Sequence, residues 1–117
     1  MTYVDGFDIA VPTDKQADYK AIAEKSAAVF KKFGAKRVVE CWGDDVPEGK
    51  LTSFPMAVKR AENETVVFSW IEWPSKAARD DGMKKSMEDL NKIMDPSSMP
   101  FDGKRMIFGG FEGIVDR

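Results

Sequence analysis

The chain has 117 residues, 43% hydrophobic and 32% charged, a composition typical of one globular domain and not of a disordered or fibrous protein. Its 18 basic and 20 acidic residues are spread along the chain, with no basic cluster that would bind nucleic acid. It contains no histidine and one cysteine. This composition excludes the usual Ser-His-Asp and Cys-His nucleophilic sites, histidine-ligated haem or zinc, and thiolate clusters. We therefore expect no metal and no cofactor.

Hydrophobic periodicity predicts a strand and then a helix at the N-terminal end. Residues 3–11 alternate between the two sides of a strand. Thr13 and Gln16 have the spacing of a capping box, and the helix that follows is expected to end at Gly34. The apolar run over residues 36–43 predicts a second strand.

The middle of the chain predicts a hairpin followed by a second helix. Residues 54–61 and 65–73 are two runs that flank the polar residues Glu62-Asn63-Glu64. This spacing favours two antiparallel strands. Ser75 is a typical N-cap for a helix over residues 76–94.

A last strand is predicted over residues 104–111, with a bend or bulge at Gly109-Gly110. The element order is then β-α-β-β-β-α-β. Two successive β-α-β units predict an α+β fold of the ferredoxin-like sandwich type, with both helices on one face of an antiparallel sheet. The whole chain, residues 1–117, is expected to form this single domain.

Both sides of the predicted 65–73 and 104–111 strands are apolar. A sheet with one face in water alternates apolar with polar residues, and these strands do not. Two helices can cover only one face. We therefore predict a homodimer in which two sheets pack face to face as a dimeric α/β barrel.

Several short segments together make the chain similar to the YbaA-like bacterial family of unknown function, which is assigned to the dimeric α/β-barrel superfamily. The segments are Tyr3–Phe7, Glu40–Pro47, Thr52–Pro55, Val67–Lys76, Arg79-Asp80 and Met99–Met106. The resemblance implies the fold and the dimer already predicted, and it implies no established activity. The superfamily also includes cofactor-independent oxygenases, isomerase-like enzymes, haem-degrading proteins and stress-response binding proteins, but the absence of histidine makes a haem degrader a poor match.

Five residues predict a candidate ligand site between the sheet and the second helix. Glu40 and Trp42 share a strand face, where an indole could desolvate the carboxylate and raise its pKa. Asp44 and Asp45 follow that strand. Arg79 lies in the first turn of the second helix, where free N–H groups and the helix dipole attract anions. We predict that these residues border one cleft.

Each of these residues also has a purely structural interpretation. Glu40 could pair with a cation on a neighbouring strand, and Asp44-Asp45 fits a solvated turn, which we favour. For Arg79 we favour a pair with a buried carboxylate such as Asp5 or Glu40 over a ligand contact. Trp42 is more typical of a core or interface anchor than of a binding pocket.

The single cysteine and the N-terminal sequence favour a cytoplasmic protein. Cys41 permits no internal disulfide and is expected to be a buried, unreactive thiol. Residues 1–5 have neither the basic nor the apolar region of a secretory signal. No apolar run approaches the roughly 20 residues that span a membrane, so we expect no membrane association.

Three functions are compatible with this sequence. The first is a small-molecule-binding homodimer, with a stress-related role as one option. The second is a cofactor-independent oxygenase or isomerase that acts on an aromatic or polyketide-like molecule. The third is a structural or interaction module. A shifted carboxylate inside a closed apolar pocket would favour the enzyme, and a solidly packed interior would favour the module.

Overall fold

The computed structural model describes residues 2–117. Over this range the helices and strands are β1 (Tyr3–Pro12), α1 (Gln16–Lys32), β2 (Arg37–Trp42), α2 (Phe54–Ala57), β3 (Glu64–Trp73), α3 (Lys76–Ile93) and β4 (Ile107–Glu112). Two short 3₁₀ turns, Thr13–Lys15 and Pro96–Ser98, precede α1 and follow α3. The predicted α+β class is confirmed.

The strands form one four-stranded antiparallel sheet in the order β2-β3-β1-β4. The N-terminal strand β1 is therefore central, with β3 on one side and β4 on the other. Asp8, for example, lies opposite Phe68 of β3 and opposite Ile107 of β4. The two edge strands, β2 and β4, each have six residues.

The predicted strand over residues 54–61 is wrong, so the β-α-β-β-β-α-β order contained one strand too many. The segment begins instead with the short helix α2, because the Ser53 hydroxyl accepts a hydrogen bond from the Met56 N–H and Pro55 lies in the first turn. An apolar residue of this segment belongs to the core without forming a strand. Val58 is fully buried and packs with Ala10 and Val66.

The start of α1 also differs from the prediction. Thr13 does not act in a capping box, since its hydroxyl hydrogen-bonds the Thr65 hydroxyl at 2.7 Å and the helix begins at Gln16, after a 3₁₀ turn. The predicted end is confirmed. Gly34 follows α1 with a φ of 112°, a conformation that glycine adopts without strain.

The start of α3 is as predicted, because the Ser75 hydroxyl accepts a hydrogen bond from the Ala78 N–H at 3.1 Å. The middle of this helix lies unusually close to its neighbours. A Cβ atom at Gly82 would collide with the Trp73 ring and lie 2.5 Å from the carbonyl oxygen of Phe33. Glycine at this position is what allows α3 to pack on the sheet and on the end of α1.

The sheet has two unlike faces. On one, the helix face, α1 and α3 cover a core formed by Ile9, Val11, Tyr19, Val67, Ala35, Ile71 and Trp73. On the other, the open face, α2 and the residues after it cover only the Ala10–Val66 end. Five large apolar side chains on and around the open face remain exposed, namely Phe54, Met56, Phe68, Ile107 and Phe111.

Two further predictions about the strands are wrong. The β1–β4 register runs continuously through Gly109 and Gly110, so β4 has no bulge. Gly110 lies opposite Asp5 and is needed for space, because a Cβ atom there would come 2.5 Å from the Tyr3 hydroxyl and 2.8 Å from an Arg79 nitrogen. Cys41 is exposed and not buried, because it lies on an edge strand and is paired opposite Phe68 of the open face.

Candidate functional site

The helix face holds a cavity of about 380 Å³ between the sheet and helices α1 and α3, and the cavity is partly open to solvent. We call it the interior cavity. Its walls are mostly apolar, and the side chains that form them include Phe7, Ile9, Ala23, Phe30, Ile71, Met83, Met87, Leu90, Phe101 and Met106. The polar exceptions are Asp5, Tyr19, Ser26, Glu40, Ser69 and Arg79. A cavity of this size and lining is typical of small-molecule sites.

Tyr19 and Glu40 form a hydrogen-bonded pair in the cavity wall. The Tyr19 hydroxyl, on α1, donates to Oε1 of Glu40, on β2, at 2.7 Å. Burial raises the pKa of Glu40, and hydrogen bonds from Tyr19 and Ser69 oppose that rise. Burial also raises the pKa of Tyr19, and the neighbouring Glu40 carboxylate adds to the effect. The pair therefore offers a ligand one carboxylate with a remaining acceptor oxygen.

The same pair also lines a recess of about 340 Å³ on the outer side of α1 and β2. Tyr19, Ala23, Val38 and Glu40 line both this outer recess and the interior cavity. Because β2 is an edge strand, part of Glu40 is exposed to solvent, although the residue also lines both the recess and the cavity. A molecule that enters from the outer recess would therefore meet Glu40 before it reached the interior.

A second polar group in the cavity wall is the ion pair between Asp5 and Arg79. The Asp5 carboxylate is almost fully buried and accepts hydrogen bonds from Arg79 Nε at 3.1 Å, from Arg79 Nη2 at 2.8 Å and from the Trp73 indole N–H at 2.9 Å. Arg79 Nη1 donates to Asp80 at 3.0 Å. The hydrogen bonds to Asp5 raise the pKa of Arg79 further. All three guanidinium nitrogens are thus already engaged.

The five predicted site residues are placed in three locations. Glu40 and Arg79 line the interior cavity, on the same face of the sheet. Trp42 packs against the core and lines the outer recess. Asp44 and Asp45 are exposed in the loop after β2, and within residues 2–117 the cavity and recess walls include neither of them. For Arg79, the expected pair with a buried carboxylate is present, and its partner is Asp5.

The sequence interpretation missed Asp8. This residue lies on the open face and is 5% exposed, and within the described chain neither of its carboxylate oxygens has a hydrogen-bond partner. Burial raises its pKa from 3.8 to about 6. A signal was available, because Asp8 is the one charged residue on its side of β1, between Gly6 and Ala10.

The sequence interpretation also missed the main partner of Arg105. Asp102 accepts a hydrogen bond from Arg105 Nε at 3.1 Å. The buried Glu64 carboxylate accepts two more, both at 2.7 Å, and these hydrogen bonds lower the pKa of Glu64. Arg105 also donates to the Lys59 carbonyl at 2.9 Å. Arg105 therefore joins the turn after α2 to the start of β3, which is a structural role.

Residues 2–117 contain neither a cluster of metal ligands nor a helix that could span a membrane. In this range, no three Asp, Glu or Cys side chains are arranged to hold a metal ion. None of the helices in the same range has both the length and the apolar sequence needed to cross a bilayer.

Comparison with known proteins gives one family and several close relatives. A family model described as a protein of unknown function, DUF1428, matches residues 2–103. The uncharacterized protein YbaA of Escherichia coli K12 is 60% identical over 116 residues, and the alignment covers 99% of this chain and 99% of that protein. The proteins of the same name in Escherichia coli O157:H7 and Shigella flexneri match with the same identity and coverage.

Proposed function

Because this chain belongs to the DUF1428 family of proteins of unknown function, we propose its function from its own geometry: it binds a small apolar molecule in the interior cavity and works as a homodimer. The family membership confirms the resemblance to YbaA-like proteins. The β2-β3-β1-β4 order with both long helices on one face supports a ferredoxin-like, single-domain subunit. The lone cysteine fits action in a reducing cytoplasm.

The observation that carries this proposal is the empty space under the two long helices. Protein interiors are normally filled, whereas this apolar cavity leaves side chains under the helices facing unfilled space that is partly open to solvent. Four of those side chains are methionines, which adapt their shape readily: Met83, Met87, Met99 and Met106. A binding protein fits this lining better than a purely structural module, whose interior would be solidly packed.

The polar groups in the cavity wall favour a neutral ligand that carries a hydroxyl group. Glu40 accepts hydrogen bonds from Tyr19 and Ser69, and its carboxylate keeps lone pairs that can accept another from a ligand O–H. Arg79 is held by Asp5 and Asp80, so an anionic ligand would have to compete with two carboxylates for it. An aromatic or polycyclic alcohol or phenol satisfies both the apolar walls and the free acceptor.

The open face supports the homodimer. The subunit is a slab of 38 × 35 × 20 Å, one helix layer thick on one sheet, and exposed apolar side chains remain on its broad open side. We propose that a second copy covers this face, because the same surface on both subunits is self-complementary in apolar character. Two sheets packed in this way would form the predicted dimeric α/β barrel.

Proton transfer on the bound molecule is the second candidate function. It is favoured by the raised pKa of Glu40 beside an apolar cavity, since a general base works best with a pKa close to the surrounding pH. A cofactor-independent isomerase or oxygenase would use Glu40 to remove a proton from the substrate. Glu40→Gln would then abolish turnover while binding was largely retained.

The binding proposal is tested with 1-naphthol as the probe and 1-methylnaphthalene as its counterpart without a hydroxyl. We expect 1-naphthol to bind the native protein several-fold more tightly, and Glu40→Gln to reduce that preference because the acceptor loses its charge. Ala23→Met should block both probes by filling the cavity. Ala28→Met, at an exposed position of the same helix, is the matched control and should bind as the native protein does.

The result that would contradict the proposal is equal binding of 1-naphthol to the Ala23→Met and Ala28→Met variants. Binding of neither probe to native protein would contradict it as well. Native mass spectrometry of protein purified from its own cells provides an independent test, because a ligand retained during purification would appear as an added mass.

A further inference from the structure

The open face carries a second, separate site, and we propose that this site binds an organic cation, a primary amine on an apolar or aromatic body, with Asp8 as the anionic group that receives it. The site is a groove of about 510 Å³ between α2 and β4, across β1 and β3. We call it the open-face groove. It lies on the opposite side of the sheet from the interior cavity, so this inference is independent of the proposed ligand there. The same face meets the second copy in the proposed homodimer, so the groove would then be enclosed between the two subunits.

The walls of the open-face groove are aromatic and aliphatic. Its side-chain walls are formed by Phe54, Ala57, Phe68, Ile107 and Phe111, with Gly6 and Gly109 in the floor. Phe54 and Phe68 meet edge to face, with their ring centroids 5.7 Å apart. The two glycines let the Phe111 ring pack over the strands, since a Cβ atom at either position would lie 3.5 Å from that ring. Such a lining suits an apolar or aromatic ligand body.

Asp8 is the only ionisable residue that lines this groove within the described chain. Its position is fixed by the central strand β1, between Phe68 and Ile107. Both of its oxygens are shielded from solvent and lack a partner among residues 2–117. The remaining polar groups of the groove, from Thr52 and Ser53, belong to the segment that caps α2. No cation of the described chain competes for the carboxylate.

A buried carboxylate without a partner is unfavourable, and a bound cation would relieve that cost. An ammonium group supplies three donors and a full charge, so it can serve both oxygens of Asp8. The phenylalanine faces add a favourable interaction with a cation that lies over them. An anionic or purely hydrocarbon ligand would leave the carboxylate unsatisfied. The groove therefore selects for positive charge as well as for apolar shape.

The test uses benzylamine as the probe and benzyl alcohol as its neutral counterpart of the same shape, measured by calorimetry on the full chain. At about pH 8 we expect native protein to bind benzylamine at least about tenfold more tightly than benzyl alcohol. Asp8→Asn should bind the two equally. Asp14→Asn, at an exposed position before α1, is the matched control and should keep the native preference.

Two further readouts exclude a merely structural role for Asp8. The preference for benzylamine should decline as the pH is lowered from about 8 to about 5, because Asp8 becomes protonated, while Asp8→Asn shows no such change. Amide shifts on benzylamine addition should appear around Phe68 and Ile107. Equal affinities in native protein, a preference retained in Asp8→Asn, or shifts confined to the interior cavity around Tyr19 and Met83 would each overturn the proposal.

Discussion

Replacement of Arg79 should reveal how strongly the fold depends on one buried ion pair. Asp5 is 4% exposed, and it accepts two hydrogen bonds from Arg79 and one from Trp73 at distances of 2.8 to 3.1 Å. Arg79→Met would leave the carboxylate with the indole as its single strong donor. Breaking such a pair costs about 3 to 5 kcal/mol. The Arg79 side chain keeps 25% of its surface in water. We therefore expect Arg79→Met to lower the free energy of unfolding by about 3 kcal/mol, the lower end of this range.

The assay is urea unfolding of four proteins: native, Arg79→Met, Asp5→Asn and the double variant. Asp5→Asn removes the buried charge, so Arg79→Met should lower the free energy of unfolding much less in the Asp5→Asn background than in native protein. The difference between these two losses is the coupling energy, which we expect to be about 2 kcal/mol. Lys76→Met is the control, because Lys76 forms an exposed ion pair with Asp80 in the same helical turn and should change stability little. Additive effects of Arg79→Met and Asp5→Asn, or equal losses in Arg79→Met and Lys76→Met, would refute this reasoning.

Four more outcomes are expected. Because the pKa of Asp8 is raised from 3.8 to about 6 on folding, native stability should fall as the pH rises from about 4 to about 7, by up to about 3 kcal/mol, and Asp8→Asn should reduce this fall when unfolding is followed across that range. Gly82→Ala should lower the melting temperature although alanine favours helix, because its Cβ would strike Trp73; a higher melting temperature would disprove the close approach. Sedimentation equilibrium at micromolar concentration should show a dimer, and a single 13.1 kDa species would contradict it. Filter binding at physiological salt should detect no submicromolar, salt-dependent affinity for RNA, because 18 basic residues are outnumbered by 20 acidic ones.

Local signals in the sequence predicted most of the fold. Ser75 and Gly34 were identified correctly because a capping hydroxyl and a left-handed glycine are decided by their own neighbours. Residues 54–61 were misassigned because their spacing from residues 65–73 fits a hairpin, and because Val58, which packs on Ala10 of β1 and Val66 of β3, keeps the segment apolar without a strand. The competing signal, Ser53 before Pro55, was present but received less weight than the spacing.

The candidate sites were harder to predict because they depend on contacts between distant segments. Glu40 could be identified as a carboxylate beside a tryptophan, but its donor is Tyr19, on a different element. Gly110 was interpreted as a bulge, although its role is to leave space for Arg79 to reach Asp5. Asp8 was overlooked because an aspartate in an alternating strand usually points to water, whereas its burial depends on side chains of β3, β4 and α2 that are distant in the sequence.

The central position of β1 has a consequence for synthesis of the protein. This strand leaves the ribosome before both of its neighbours, which are β3, from residue 64 onward, and β4, from residue 107 onward. Until β4 has been made, one hydrogen-bonding edge of β1 stays open, with the apolar side chains of both faces beside it. The sheet is therefore completed only after residues 107–112 have emerged, and nascent chains that stop before β4 would be targets for chaperones and for aggregation.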